Sequence, residues 1–179
     1  MTDRDMAAQP PATPVTIRPA TAADWPGIWS VIEPMIRQGE TYPLDRDLPE
    51  PSARAYWHAP DKQVFVAVNA DQTIVGSYTL RPNSTGPASH VANAGYAVHP
   101  DHGGRGIGRA LCLDSLRTAR ARGFRAMQFN LVIATNLHAI RLYHQLGFAT
   151  VGTLPGAFLH PTQGYVDAFI MHRPLNDQG

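Results

Sequence analysis

Apolar positions along this chain follow two rhythms, one of two residues and one of three to four. VTIRPA (15–20) alternates and is β-branched, which predicts a first strand. Past Asp24 the period lengthens: Trp25, Ile28, Trp29, Ile32 and Ile36 recur at helical spacing, with Asp24 as the expected N-cap. Pro34 is expected to kink or end that helix, because it removes an N–H and crowds the preceding turn. GETYPLDRDLP (39–49) has no period and predicts a loop, and EPSARAYWHAP (50–60) a short helix. QVFVAVN (63–69) and IVGSYTLRP (74–82) flank the polar turn ADQT and predict a hairpin. SHVANAGYAVHP (89–100) predicts a third, central strand that stops at Pro100.

Helical spacing returns at Ile107, Leu111, Cys112, Leu116 and Ala119, with Arg109, Arg117 and Arg120 on the other side and Gly123 as the stop. AMQFNLVI (126–133) predicts a strand, and NLHAIRLYHQL a helix capped by Thr135 or Asn136 and ended by Gly147. FATVGTL (148–154) and GYVDAFIMHRPL (164–175) predict two closing strands, joined by the Pro-, Gly- and aromatic-rich loop LPGAFLHPTQGY (154–165). The order predicts an α/β fold, a mixed sheet flanked by helices. Residues 14–175 are expected to form one domain behind a flexible tail at 1–13.

Composition narrows the function classes. Fifteen basic and fourteen acidic residues leave a net charge of +1, spread along the chain, which argues against an extended nucleic-acid footprint. There is no signal-peptide pattern and no run of membrane-span length, so a soluble, cytoplasmic protein is expected. The single cysteine, Cys112, excludes an internal disulfide and sits in the apolar helical stripe, where it is expected to act as a small core residue. The pairs His99/His102 and His138/His144 lack further ligands at metal spacing, so no metal site is expected.

The densest chemistry lies in HPDHGGRGIGRAL (99–111), where Gly103, Gly104, Gly106 and Gly108 crowd the approach to a helix. A helix start carries orphaned N–H groups and the positive end of the dipole, and glycines let a ligand touch the main chain. That combination suits phosphate oxygens, and Arg105 and Arg109 could add charge-assisted bonds. A P-loop would need Gly-Lys-Ser/Thr, but the only lysine is Lys62. The dinucleotide pattern G-x-G-x-x-G fails as well, since its last slot falls on Arg109 or Leu111.

What remains, GRGIGRAL, resembles motif A of the GNAT superfamily of acetyl-CoA-dependent N-acyltransferases, and AVHPDHGGRGIGRAL resembles the strand–loop–helix around it. NLHAIRLYHQLGF (136–148) is similar to the family's later helix, with Asn, Tyr and Gly-Phe at matching spacing. The element order is similar over about residues 14–175. The chain departs from the family at Gly103, where a Gln or Arg is usual, so one side-chain cap on the loop is missing.

The resemblance implies the GNAT fold and acetyl-CoA as co-substrate. Main-chain groups of Tyr96, Ala97 and Val98 would hold the pantetheine and thioester carbonyl. The N–H groups of Gly103, Gly104, Arg105, Gly106, Ile107, Gly108 and Arg109 would hold the pyrophosphate. Asn136 would bond the pantetheine arm or simply cap its helix, and Tyr143 would protonate the leaving thiolate or simply pack in the core. No Asp or Glu occurs in 86–100, so the base is open; Glu40 is one candidate, as base or ammonium anchor or solvated loop charge, and His90, His160 and Asp167 are weaker ones. Glu40, Tyr42, Phe158 and Tyr165 are the candidate acceptor contacts, with packing as the competing role for the aromatics. The expected activity is acetyl transfer to a primary amine of a small molecule, an amino acid or analogue favoured. A protein or peptide acetyltransferase and a catalytically silent acyl-CoA-binding regulator are the rivals. A homodimer is common in the superfamily, but no interface is located by the sequence.

Overall fold

A computed structural model of the chain describes residues 14–175, so the expected tail at 1–13 lies outside them. The elements run β1 (Thr16–Pro19), α1 (Trp25–Gln38), α2 (Glu50–Trp57), β2 (Gln63–Val68), β3 (Ile74–Pro82), β4 (Val91–Val98), α3 (Ile107–Ala121), β5 (Ala126–Ile133), α4 (Leu137–Gln145), β6 (Ala149–His160) and β7 (Gly164–Pro174). One seven-stranded sheet has the order β1-β2-β3-β4-β5-β7-β6, and β4–β5 is its parallel pair, bridged by the α3 crossover. No described helix is long and apolar enough to cross a membrane.

Each face of the sheet is covered by the apolar stripe the sequence puts on its helices. Trp25, Ile28, Val31, Ile32 and Ile36 of α1 bury against Val64, Val66, Val68 and Ala97. On the other face Ile107, Leu111, Cys112, Leu116 and Ala119 of α3 pack with Phe65, Tyr78, Leu80, Ala94 and Met127. Pro34 does not end α1, which runs on to Gln38 and closes at Gly39 in the left-handed conformation. The segment 154–165 is not a loop. Strand β6 continues to His160 and turns tightly into β7, with its register shifting between Leu154 and Phe158. Pro155 and Gly156 read as breakers in sequence, but β6 is an edge strand, where a bulge absorbs both.

Two features open the middle of the sheet. Strands β4 and β5 pair only at Val91–Ala126 and Ala92–Met127 and then separate. The register of β5 against β7 shifts between Phe129 and Val132, and such an irregularity bends β5 away from its neighbour. Side-chain amides tie the base of the gap: Asn83 Oδ1 accepts from Asn93 Nδ2 at 3.1 Å and from Asn130 Nδ2 at 2.7 Å. Asn130 Oδ1 in turn accepts from Gln128 Nε2 at 2.8 Å.

Asp24 does not cap α1 with its side chain. Its carboxylate turns back to Arg18, with contacts of 2.7 and 2.8 Å, and to the Thr21 N–H at 2.7 Å. The Arg18 bonds, backed by those from Thr21, hold the carboxyl well below its ordinary value. Such a depressed group stabilises the fold fully above the ordinary carboxylate value, and the contribution fades as pH falls below about 4. Asp24→Asn is therefore expected to destabilise the protein by about 1–2 kcal/mol at pH 7, the low side for a charged hydrogen bond because Arg18 is partly exposed. Urea unfolding at pH 7 and pH 3 checks this: the gap between variant and wild type should narrow at the lower pH.

Candidate active site

The glycine segment leaves the end of β4 through a short 3-10 turn at Pro100–His102 and enters α3. Gly104 (φ 73°) and Gly106 (φ 78°) both lie in the left-handed region, which side chains with a Cβ rarely adopt. The turn consumes the Gly103 N–H, which donates to Pro100 O at 3.1 Å. Gly103 therefore drops out of the expected amide set. From Gly104 through Arg105, Gly106, Ile107 and Gly108 to Arg109, no N–H has an acceptor among the described residues; helical bonding resumes with Ala110 N–H to Gly106 O. Gly103 to Gly106 are exposed rather than covered by protein. A Cβ on Gly108 would lie 3.8 Å from Val98 and 4.0 Å from Leu142, so the start of α3 sits against both β4 and α4.

The gap between β4 and β5 supplies a second set of main-chain groups outside the strand pairing. Asn83 N–H donates to Val91 O, and His99 N–H donates to Val75 O. With the antiparallel register between them, these bonds fix the alternation: Val91, Asn93, Gly95, Ala97 and His99 direct their peptide groups to β3. Ala94, Tyr96 and Val98 direct theirs into the gap. Ala97 is thus turned toward Ser77, and its main chain is spent within the sheet. Tyr42, from the loop after α1, donates its hydroxyl to Tyr96 O at 3.2 Å across the gap-facing edge. The neighbouring position must be glycine for this contact, because a Cβ on Gly95 would lie 2.5 Å from the Tyr42 hydroxyl.

Tyr143 on α4 stands beside this edge. Its ring packs on Phe129 (4.5 Å between centroids), Phe148 (5.8 Å) and Tyr96 (6.2 Å). Burial pushes its phenol well above the ordinary value, with nearby Cys112 a smaller cause, so the group stays protonated. Its hydroxyl has no hydrogen-bond partner among the described residues. Asn136 does cap α4, its Oδ1 accepting from Ala139 N–H at 3.2 Å, which leaves the amide nitrogen unused. Cys112 is buried, its thiol raised to about 11 by burial, as an inert core residue should be.

Next to Tyr42, a cavity of about 390 Å³ is lined by Glu40 and Thr41 from the loop after α1, Thr135 to His138 at the start of α4, and His160, Thr162 and Gln163 from the β6–β7 turn. Three segments far apart in sequence meet here. Glu40 is exposed at this cavity, and His160 is buried in it. Two of the aromatic acceptor candidates lie elsewhere. Phe158 is buried with Ile133 and Ala168, and Tyr165 is exposed on β7; neither lines the cavity. The remaining base candidates have other duties. His90 Nδ1 contacts Pro87 O at the far end of β4, and Asp167 accepts from Gly156 N–H at 2.9 Å. A second hollow, bordered by Val15, Ile17, Leu113 and Arg117, carries none of the candidate residues. No cluster of metal-ligating residues occurs among the described residues.

A splayed parallel strand pair with a glycine-rich amide cradle at the next helix defines an acyl-CoA-dependent transferase fold. Residues 29–148 match the Acetyltransferase (GNAT) family, and the chain belongs to it. N-acetyltransferase aca1 of Schizosaccharomyces pombe is 34% identical over 152 residues, 75% of this chain and 72% of that protein. A GCN5-related N-acetyltransferase from Kribbella flavida superposes with a TM-score of 0.85 at 45% identity, covering 89% of this chain and 97% of that one. The structure of yncA from Salmonella typhimurium with its cofactor acetyl-CoA shares the fold, with a TM-score of 0.80 at 23% identity over 93% of this chain and 96% of that one. The protein is accordingly a GNAT N-acetyltransferase, and acetyl-CoA is its acyl donor.

Proposed function

We propose that this enzyme acetylates the primary amine of a small molecule, with amino acids or their analogues favoured, by direct attack of the amine. The observation that carries the reading is the cavity of about 390 Å³ between the loop after α1, the start of α4 and the β6–β7 turn. Its volume falls at the small end of ordinary ligand sites. It is bounded by the α1 loop on one side and the β6–β7 turn on another, a form that suits a compact acceptor better than an extended peptide.

The residues present fit the donor. The unpaired amides from Gly104 to Arg109 suit a diphosphate, and the left-handed glycines keep side chains out of its way. The gap-facing groups of Ala94, Tyr96 and Val98, with the free amide nitrogen of Asn136, suit the polar pantetheine arm. Acetyl-CoA supplies a thioester carbonyl open to attack and a thiolate leaving group. The chain's own work is then alignment, which is worth about 7–11 kcal/mol when two reactants are held in line, and proton donation from the Tyr143 hydroxyl to the departing sulfur. The Tyr42 hydroxyl fixes the edge on which the two reactants meet.

No strong base stands in the cavity; its only carboxylate is the exposed Glu40. Deprotonating a lysine-like amine of pKa about 10.4 at pH 7 costs roughly 4–5 kcal/mol, against about 1 kcal/mol for a peptide α-amine near 8, with the α-amine of a free amino acid between the two. The less basic acceptor is favoured. A thiol-release screen across amino acids, polyamines and peptides tests the reading: small amino acids should lead, and a preference for peptides or for strongly basic amines would overturn it. Gly95→Ala is expected to lower kcat/KM about tenfold or more by pushing Tyr42 off Tyr96, while Tyr42→Phe should lose less because the ring still packs on Trp57. Steady-state kinetics with a fixed acceptor checks both.

A further inference from the structure

The β6–β7 turn fixes which ring nitrogen of His160 can donate to the cavity. Thr162 N–H donates to His160 Nδ1 at 3.3 Å, and the Thr162 hydroxyl lies at 3.3 Å from the same nitrogen. A backbone N–H can only donate, so Nδ1 carries the lone pair and the neutral ring holds its proton on Nε2. His160 is 6% exposed, it lines the cavity, and Nε2 has no partner among the described residues. The ring therefore offers the cavity a donor, which also removes it as the amine's base. A second unpaired donor lies close by: the His138 N–H, in the first turn of α4 and at its positive end, has no acceptor among the described residues. Thr41, Thr135 and Thr162 complete a lining rich in hydroxyls, and Glu40 gives it one negative charge.

We propose that this cavity binds a zwitterionic acceptor by its carboxylate, with His160 Nε2–H and the first turn of α4 as donors and Glu40 attracting the amino end. The proposal rests on the reading that the cavity is the acceptor site, and it adds the group that the site recognises. His160 is a binding residue here. Its geometry comes from Thr162 rather than from any charged neighbour.

Matched acceptors, compared at equal concentrations of neutral amine because the carboxyl group also changes the amine's basicity, isolate the carboxylate: alanine against ethylamine, leucine against isoamylamine, phenylalanine against phenethylamine. The wild-type KM should be lower for the amino acid of each pair by about tenfold or more, the equivalent of one buried donor satisfied or left unpaired. His160→Phe should raise KM for the amino acids by a similar factor and so close most of the gap within each pair. His160→Gln keeps a donor and should lose less; it also carries the test if the Phe variant does not fold. In the wild-type protein, ¹⁵N spectra of the labelled ring should show Nε2 protonated and Nδ1 bare. Equal KM values within the pairs, an equal loss for both classes in His160→Phe, or a proton on Nδ1 would overturn the proposal. Coenzyme A release without carboxylate preference would overturn this inference alone. No release from any small amine, with release from peptides, would overturn the small-acceptor reading as well.

Discussion

Tyr143→Phe is expected to lower kcat by about 10²–10⁴-fold, the usual worth of a positioned general acid, while leaving affinity for acetyl-CoA close to wild type. The substitution is clean because the ring keeps its contacts with Phe129, Phe148 and Tyr96, so only the oxygen is removed. That oxygen has no partner to lose among the described residues, and stability should stay within about 0.5 kcal/mol of wild type. The same burial that raises the phenol sets the pH behaviour. An acid must be protonated to act, and a raised value moves its loss toward higher pH, so no decline in rate below about pH 10 should come from Tyr143. The acid limb should instead follow deprotonation of the acceptor amine. Unchanged kcat in the Phe variant would make Tyr143 a packing residue.

Gly106→Val is expected to show the opposite kinetic division. Gly106 is the N-cap of α3 at φ 78°, a conformation that a β-branched residue resists. Turning that peptide breaks the run of free amides from Gly104 to Arg109, and each charge-assisted bond lost to a diphosphate is worth about 1.5–3 kcal/mol. The Kd for acetyl-CoA, measured by calorimetry, should rise about ten- to hundredfold, with kcat at saturation much less affected. Gly104→Ala strains the backbone similarly, but its Cβ meets nothing within 4 Å, so a smaller loss is expected. Equal affinity in the valine variant would mean that the loop does not carry the diphosphate.

The apolar faces of α1 and α3 were legible because each is a single periodic stripe in sequence. The glycine segment was legible for a related reason: all its chemistry is local to a few residues. Three other features needed the third dimension. Whether Ala97 or its neighbours face the gap depends on the β3–β4 register, and a one-residue change of parity reverses the answer. The reach of β6 to His160 was hidden by Pro155 and Gly156, whose breaking tendency holds for central strands and lapses at an edge bulge. The cavity draws on segments around 40, 136 and 162, so Thr41, His138 and Gln163 carry no local signal of their own. His160 stands among the weaker base candidates in the sequence, and the Thr162 N–H on its Nδ1 has no sequence signal.

If exposed main-chain amides grip the acyl carrier, titrating ¹⁵N-labelled protein with coenzyme A will move their chemical shifts. The largest shifts should fall on Gly104, Arg105, Gly106, Gly108 and Arg109, with Ala94, Tyr96 and Val98 following and Gly103 and Ala97 moving less. Saturable binding that left the amides of 104–109 in place while shifting another surface would contradict it.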